Sequence, residues 1–203
     1  MPEKWRLEES RYGYTDQFLR HRIDRCRTAN GLIVEPYHVL EFADWINVVA
    51  VTEGLDLLLV REYRHASGEL VIGLPGGIVD DADRLDVGPG SDAAARRELR
   101  EETGGTAARW DEIACVWANP ATQTNKVWSY LATGVRISHD TDFDANEDIE
   151  LVPVPIGEAF ARLHRREYMM QGLHVAALFA AEAFLRGRDD EDLADIRHAI
   201  TGA

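Results

Sequence analysis

The sequence predicts an α/β (α+β) fold: a mixed β-sheet packed between helices, preceded by an N-terminal β arm. Two apolar, strand-length runs, WINVVAVT and LDLLLVREYRH, flank the turn TEGLD. One helix-forming stretch, SDAAARRELREETGG, lies between strand-like segments. Helical periodicity returns at residues 157–167 and 173–187.

In order along the chain, RHRIDRCRT alternates weakly, and GLIVEPYHVLEF is strand material with a turn expected near Glu35–Pro36. After the two apolar strands, ELVIGLPGG reads as a short strand closing in a Pro-Gly-Gly turn. An acidic, Gly-rich loop, DDADRLDVGPG, leads into the central helix. Ser91 or Asp92 is expected to cap its start and Gly104 its end. EIACVWA and KVWSYLATGV are strands around the loop NPATQTN, and the polar loop SHDTDFDANEDIE precedes LVPVP. DEDLADIRHAI is a last short helix.

The chain has 203 residues, 45% of them apolar, with five Trp, which suits one generous soluble domain or a domain with an arm. A net charge of −14 argues against a partner that is a nucleic-acid polymer. Small anionic ligands stay open, because a bound divalent cation reverses the local field. Cys26 and Cys115 are too few for a disulfide framework, so reduced thiols and a cytoplasmic location are expected. MPEKWRLEES lacks the apolar run of a signal peptide, and LHVAALFAAEAFL is too short to span a bilayer, so no membrane association is expected.

The central helix carries Glu98, Glu101 and Glu102 at spacings of three and four, which places three carboxylates on one face. Interleaved Arg96, Arg97 and Arg100 offer the ordinary alternative, a solvated face of weak ion pairs worth about 0.2–0.5 kcal/mol each. The context favours a metal platform. The Gly76–Gly77 turn ends a strand just upstream, where glycine lets backbone approach a ligand. Hard cations such as Mg²⁺ take a few carboxylates together with substrate phosphates.

Gly77 followed by RELREETG resembles the signature of the Nudix hydrolase superfamily. Arg97, Glu98, Leu99, Glu101, Glu102 and Gly104 match the right half of that signature in full. Gly77 and Arg97 lie twenty positions apart, six more than the family's fourteen. Counted back from Arg97, the family's first glutamate falls on Pro89, and Asp80, Asp81 and Asp83 are the acids available to replace it as the partner of Arg97. VREYRHASGELVIGLPGG and ANPATQTNKVWSYLA resemble the flanks found in the ADP-ribose and nucleoside-diphosphate-sugar pyrophosphatases.

The resemblance implies a Nudix-type α/β/α sandwich at 46–203 behind a dimerising β arm at 1–45, and hence a homodimer. It implies Mg²⁺, with Mn²⁺ as the alternative, held by Glu98 and Glu102 and assisted by Glu101 and the Gly76 carbonyl. The implied reaction splits the diphosphate of ADP-ribose or a nucleotide sugar into a nucleoside monophosphate and a sugar phosphate. Glu147 matches a late-loop glutamate of the family, which implies a further metal ligand. The usual base position two residues earlier is Ala145, leaving Asp144, Asp148, Glu150 or a helix carboxylate to serve. Arg61 and Arg64 are candidate phosphate forks, and Arg25 and Arg27 on the arm are placed to reach a partner's site. Trp45, Trp117 and Trp128 are candidates to stack on a base, with a place in the core as the commoner alternative, and His38, His65 and His174 are expected in structural roles. The competing expectation is a nucleotide-binding sensor of this fold without catalysis, favoured by Pro89 and Ala145.

Overall fold

A computed structural model describes residues 1–80, 83, 90–143 and 148–202. Two compact units are present, one formed by residues 1–44 with 116–126 and the other by 45–115 with 127–203. The first unit thus gains a segment, 116–126, that lies far from the arm in sequence.

The first unit holds β1 (Arg6–Thr15), β2 (Arg20–Arg27) and β3 (Ile33–Glu41) in an antiparallel three-stranded sheet. β3 continues past a cis Glu35–Pro36 peptide, and the chain stays in the strand where the sequence predicts a turn. The β2–β3 register shifts between Asp24 and Cys26, opposite that proline. A bulge there accommodates a residue that has no N–H to give the ladder. Tyr37 Oη donates to the Ala121 carbonyl at 2.6 Å, fastening the 116–126 segment to the sheet.

The second unit is built on β4 (Trp45–Thr52), β5 (Asp56–Arg64), β6 (Glu69–Gly73), β7 (Gly105–Thr106), β8 (Arg109–Trp117), β9 (Lys126–Ile137) and β10 (Ile149–Pro155). The sheet order is β10-β5-β4-β9-β7, with β6 beside β5 and β8 beside β9. β4 and β9 are parallel while β5 pairs antiparallel with both β4 and β10, so the sheet is mixed, as the sequence predicts.

Period-two alternation sends side chains to two cores. Val49, Val51, Leu57 and Leu59 face one core with α2 (Ile156–His164), α3 (Gly172–Arg186) and α4 (Ala194–Thr201). Ile46, Val48, Ala50 and Leu58 face the other with Ala94, Ala95 and Leu99 of α1 (Ser91–Thr103). Each such large aliphatic side chain contributes about 1.5–3 kcal/mol by leaving water. The small alanines let α1 lie close to the sheet, which brings its glutamates to the strand ends.

The ends of α1 are set by glycines. Gly104 takes φ 66°, the left-handed cap expected from the sequence, and its N–H reaches the Arg100 carbonyl at 2.8 Å. At the start, Gly90 occupies the cap position with φ 80° and no side-chain cap bond forms. Ser91 is buried and shares a 2.7 Å hydrogen bond with Tyr130 Oη, while Asp92 pairs with Arg96, so neither caps the helix.

Candidate active site

Beyond β6 the chain runs along β4. The Pro75 carbonyl accepts from Val48 N at 2.8 Å and the Gly77 carbonyl from Ile46 N at 2.9 Å. This ladder turns the intervening Gly76 toward α1, where its N–H donates to Glu102 Oε2 at 2.8 Å. A Cβ on Gly76 would lie 2.3 Å from the Ile46 carbonyl oxygen, and one on Gly77 would lie 2.2 Å from Glu98 Oε1. The two glycines are therefore the condition for the carboxylates of Glu98 and Glu102 to meet backbone.

Arg97 organises the opposite side of the stripe. Its Nε donates to Asp83 Oδ1 (3.1 Å), and its Nη2 to Asp83 Oδ2 (3.0 Å) and the Ile78 carbonyl (3.1 Å). Its Nη1 reaches Glu98 Oε1 (2.9 Å) and Glu101 Oε2 (2.8 Å). Five bonds match the five N–H donors of a guanidinium. Asp83 and Asp80 also exchange backbone-to-carboxylate bonds, at 3.0 and 3.2 Å. Burial pushes the Asp83 carboxyl up, but the Arg97 guanidinium and the Asp80 N–H outweigh it and hold the group below the usual carboxylate range.

Asp83 stands six positions after Gly77, where the signature, counted forward from the glycine, places its acid. The six additional residues thus fall between that acid and the helix, and the loss inferred from Pro89 does not arise. Pro89 and Asp81 lie outside the described residues. Asp83 is one of the three acids the sequence offers as partner of Arg97, and the forward count from Gly77 singles it out.

The carboxylates converge without forming a finished metal shell. Among the described residues no cluster of three or more His, Cys, Asp or Glu is arranged to hold a cation. Two of the three glutamates point at Arg97 and the third at Gly76 N–H. Glu98 and Glu102 flank the glycine turn and are 8% and 4% exposed, and Glu101 joins them through Arg97. The cradle at Gly77, which a Cβ would fill, and an all-oxygen donor set suit a hard divalent cation.

The late acidic loop is anchored to this helix. Asp142 N donates to the Glu101 carbonyl at 2.9 Å, and Ser138 N and His139 N to the Gly104 carbonyl at 3.1 and 3.2 Å. Asp144, Ala145 and Glu147 lie outside the described residues. Glu150, on β10, forms a 2.9 Å ion pair with Arg61.

One cleft borders the stripe and a second borders the glycine turn. One, of about 740 Å³, is lined by Arg97, Arg100, Glu101, Trp110 and Asp142. The other, of about 660 Å³, is lined by Gly76, Gly77, Arg64, Trp45, Met170 and His174. Arg64 therefore stands in a cleft with the glycine turn, paired to Glu62, whereas Arg61 is engaged by Glu150. Arg25 pairs with Glu8 and Glu35, and Arg27 with Glu8 and the Gly31 carbonyl of the β2–β3 turn, all within their own unit. Trp45 lines a cleft and Trp117 is 54% exposed, so the core alternative holds only for Trp128, which packs against the α1 side of the core.

Residues 43–171 match the family model described as the NUDIX domain. An ADP-ribose pyrophosphatase of Mycobacterium tuberculosis is 30% identical over 175 residues, covering 86% of this chain and 81% of that protein. An ADP-ribose pyrophosphatase of Bacillus subtilis is 26% identical over 123 residues, covering 60% and 63%. A solved structure titled as an ADP compounds hydrolase superposes with a TM-score of 0.77 at 19% identity, covering 93% of this chain and 98% of that one, which shows the fold. With the glycine turn, the Arg97 hub and the glutamate stripe in register with the domain match, the chain belongs to the Nudix family.

Proposed function

We propose that the chain hydrolyses the diphosphate bond of ADP-ribose or a related nucleotide sugar, releasing a nucleoside monophosphate and a sugar phosphate. The observation that carries this reading is the convergence of Glu98 and Glu102 on the Gly76–Gly77 turn, with Glu101 beside them on Arg97. The names of the M. tuberculosis and B. subtilis relatives support ADP-ribose as the first substrate to try.

Glu98, Glu101, Glu102 and the Gly76 carbonyl would hold Mg²⁺, or Mn²⁺ in its place. Bound there, a divalent cation offsets phosphate charge and makes water a better nucleophile. The chain's own residues do the rest. Arg97 fixes the rotamers of Glu98 and Glu101 and keeps like charges apart. Glu102 is positioned by Gly76 N–H. Arg64 supplies a cation for a phosphate oxygen. One water adds to a phosphorus, its proton passes to a carboxylate, and the bridging oxygen leaves with the other half. Glu147 or Asp144 is the proposed proton acceptor, since the strand that precedes their loop and the strand that follows it are both fixed in the sheet.

The arm at 1–45 is proposed to pair two chains into a homodimer, with Arg25 and Arg27 serving the partner's site. Exposed Leu7, Tyr12, Tyr14 and Phe18 on or beside its strands support that assignment. A cytoplasmic location is proposed on the free Cys26 and Cys115. No described helix is long and apolar enough to cross a membrane.

The test is product release from ADP-ribose and a set of nucleotide sugars, with Mg²⁺, with Mn²⁺ and with EDTA. Metal-dependent release of the monophosphate from one of them is expected. Binding without release across the set would favour a sensor instead.

A further inference from the structure

His174 sits where α3 meets the end of β6. Its Nδ1 accepts a 3.1 Å hydrogen bond from Leu74 N, the residue that leads into Pro75 and the glycine turn. The contact is possible because position 73 is glycine: a Cβ there would lie 2.7 Å from His174 Nδ1 and 2.9 Å from Cε1. With Nδ1 committed as an acceptor, a neutral ring carries its proton on Nε2. No protein group among the described residues hydrogen-bonds Nε2. The ring lines the 660 Å³ cleft together with Arg64, Gly76 and Gly77.

We propose that His174 is a specificity-determining residue, which presents Nε2–H to an oxygen of the sugar–phosphate part of the substrate in this cleft. The proposal rests on the hydrolytic reading for the identity of that substrate. Two features make the donor dependable. The ring is 9% exposed, so its orientation is fixed by packing. Burial, and secondarily the charge of Arg64, lower its pKa to about 4, so the same tautomer is present throughout the neutral range. An uncharged N–H beside a guanidinium is matched by oxygen acceptors such as phosphate or ribose oxygens. A ligand cation has no acceptor in either group.

The experiment is calorimetric binding of ADP-ribose in EDTA, with turnover measured separately, for wild type, His174→Asn and His174→Gln. Asparagine keeps an acceptor for Leu74 N and deletes the outer donor, while the longer glutamine amide extends an N–H toward the Nε2 position. His174→Asn is expected to weaken binding about ten-fold with its melting temperature within a few degrees of wild type, and His174→Gln to recover part of the loss. Competition by AMP and by ribose 5-phosphate shows which half occupies the cleft, because the loss carries over to only one of them. Unchanged affinity in His174→Asn overturns the proposal, and if His174→Gln alone loses affinity, His174 is left only the task of holding Leu74. Equal loss in both variants also overturns it, because a donor restored near the Nε2 position then recovers nothing. Wild type that binds ADP-ribose without hydrolysing it, with the same loss in His174→Asn, refutes the hydrolytic reading and sustains this one. Wild type that binds no member of the substrate set overturns both.

Discussion

Asp83 and Arg97 are joined by two parallel hydrogen bonds, Nε to Oδ1 at 3.1 Å and Nη2 to Oδ2 at 3.0 Å. This fork fixes the guanidinium from which Glu98 and Glu101 are held. Removing one side of a charge-assisted pair at a site this buried costs about 1–3 kcal/mol. Asp83→Asn is therefore expected to lower the urea midpoint and to reduce kcat/KM about ten-fold, with Asp83→Glu close to wild type. Steady-state kinetics alongside urea titration checks this, and full activity in Asp83→Asn would show that Arg97 positions the stripe unaided.

Glu102 separates charge from structure. In Glu102→Gln the amide oxygen still accepts from Gly76 N, so the fold and melting temperature should be retained. As the loss of one proposed anionic metal ligand, the change is expected to remove several kcal/mol of transition-state stabilisation and to lower turnover about 100-fold or more. A turnover assay over a range of Mg²⁺ concentrations reads the effect, and wild-type rates would remove Glu102 from the metal set.

The two glycines of the turn should respond differently to alanine. In Gly76→Ala the new Cβ meets a backbone oxygen 2.3 Å away, which cannot move without disturbing β4. Destabilisation of about 1–3 kcal/mol is expected. In Gly77→Ala it meets the Glu98 carboxylate at 2.2 Å, a group that can swing aside. The expected signature there is lost activity with little change in thermal stability. Thermal melts and kinetics on the pair test the distinction.

His174 gives the protein an acid-side stability limit. Its pKa is about 4 when folded and near 6.5 when unfolded. Between those values the unfolded chain binds more protons, so stability is fully present above about pH 6.5 and declines as pH falls toward 4. The contribution is about 3 kcal/mol. Urea midpoints between pH 7.5 and 4.5 should fall in wild type and fall less in His174→Phe. Parallel curves for the two proteins would contradict the assignment.

Much of this architecture is legible in the sequence, for identifiable reasons. β4 and β5 are near-continuous apolar runs because they are buried on both faces. α1 shows its period, its terminal Gly104 and its glutamate stripe within one contiguous stretch. What escaped depends on contacts across sequence. Asp83 is one of three acids the sequence offers to Arg97, and the contact across the insertion singles it out. The cap at Gly90 displaced Ser91 because Tyr130, far along the chain, takes the serine hydroxyl. His174 reads as an ordinary core histidine until Leu74 N and Gly73, a hundred residues earlier, are seen against its ring.

The most direct test of the glutamate stripe is equilibrium Mn²⁺ binding, followed by the electron paramagnetic resonance of free Mn²⁺, for wild type and for Glu98→Gln/Glu102→Gln. Wild type is expected to deplete the free-ion signal, more strongly when a nonhydrolysable ADP-ribose analogue is present, and the double variant to leave it nearly unchanged. Equal depletion by both proteins would contradict the claim that these carboxylates gather on the glycine turn to hold a divalent cation.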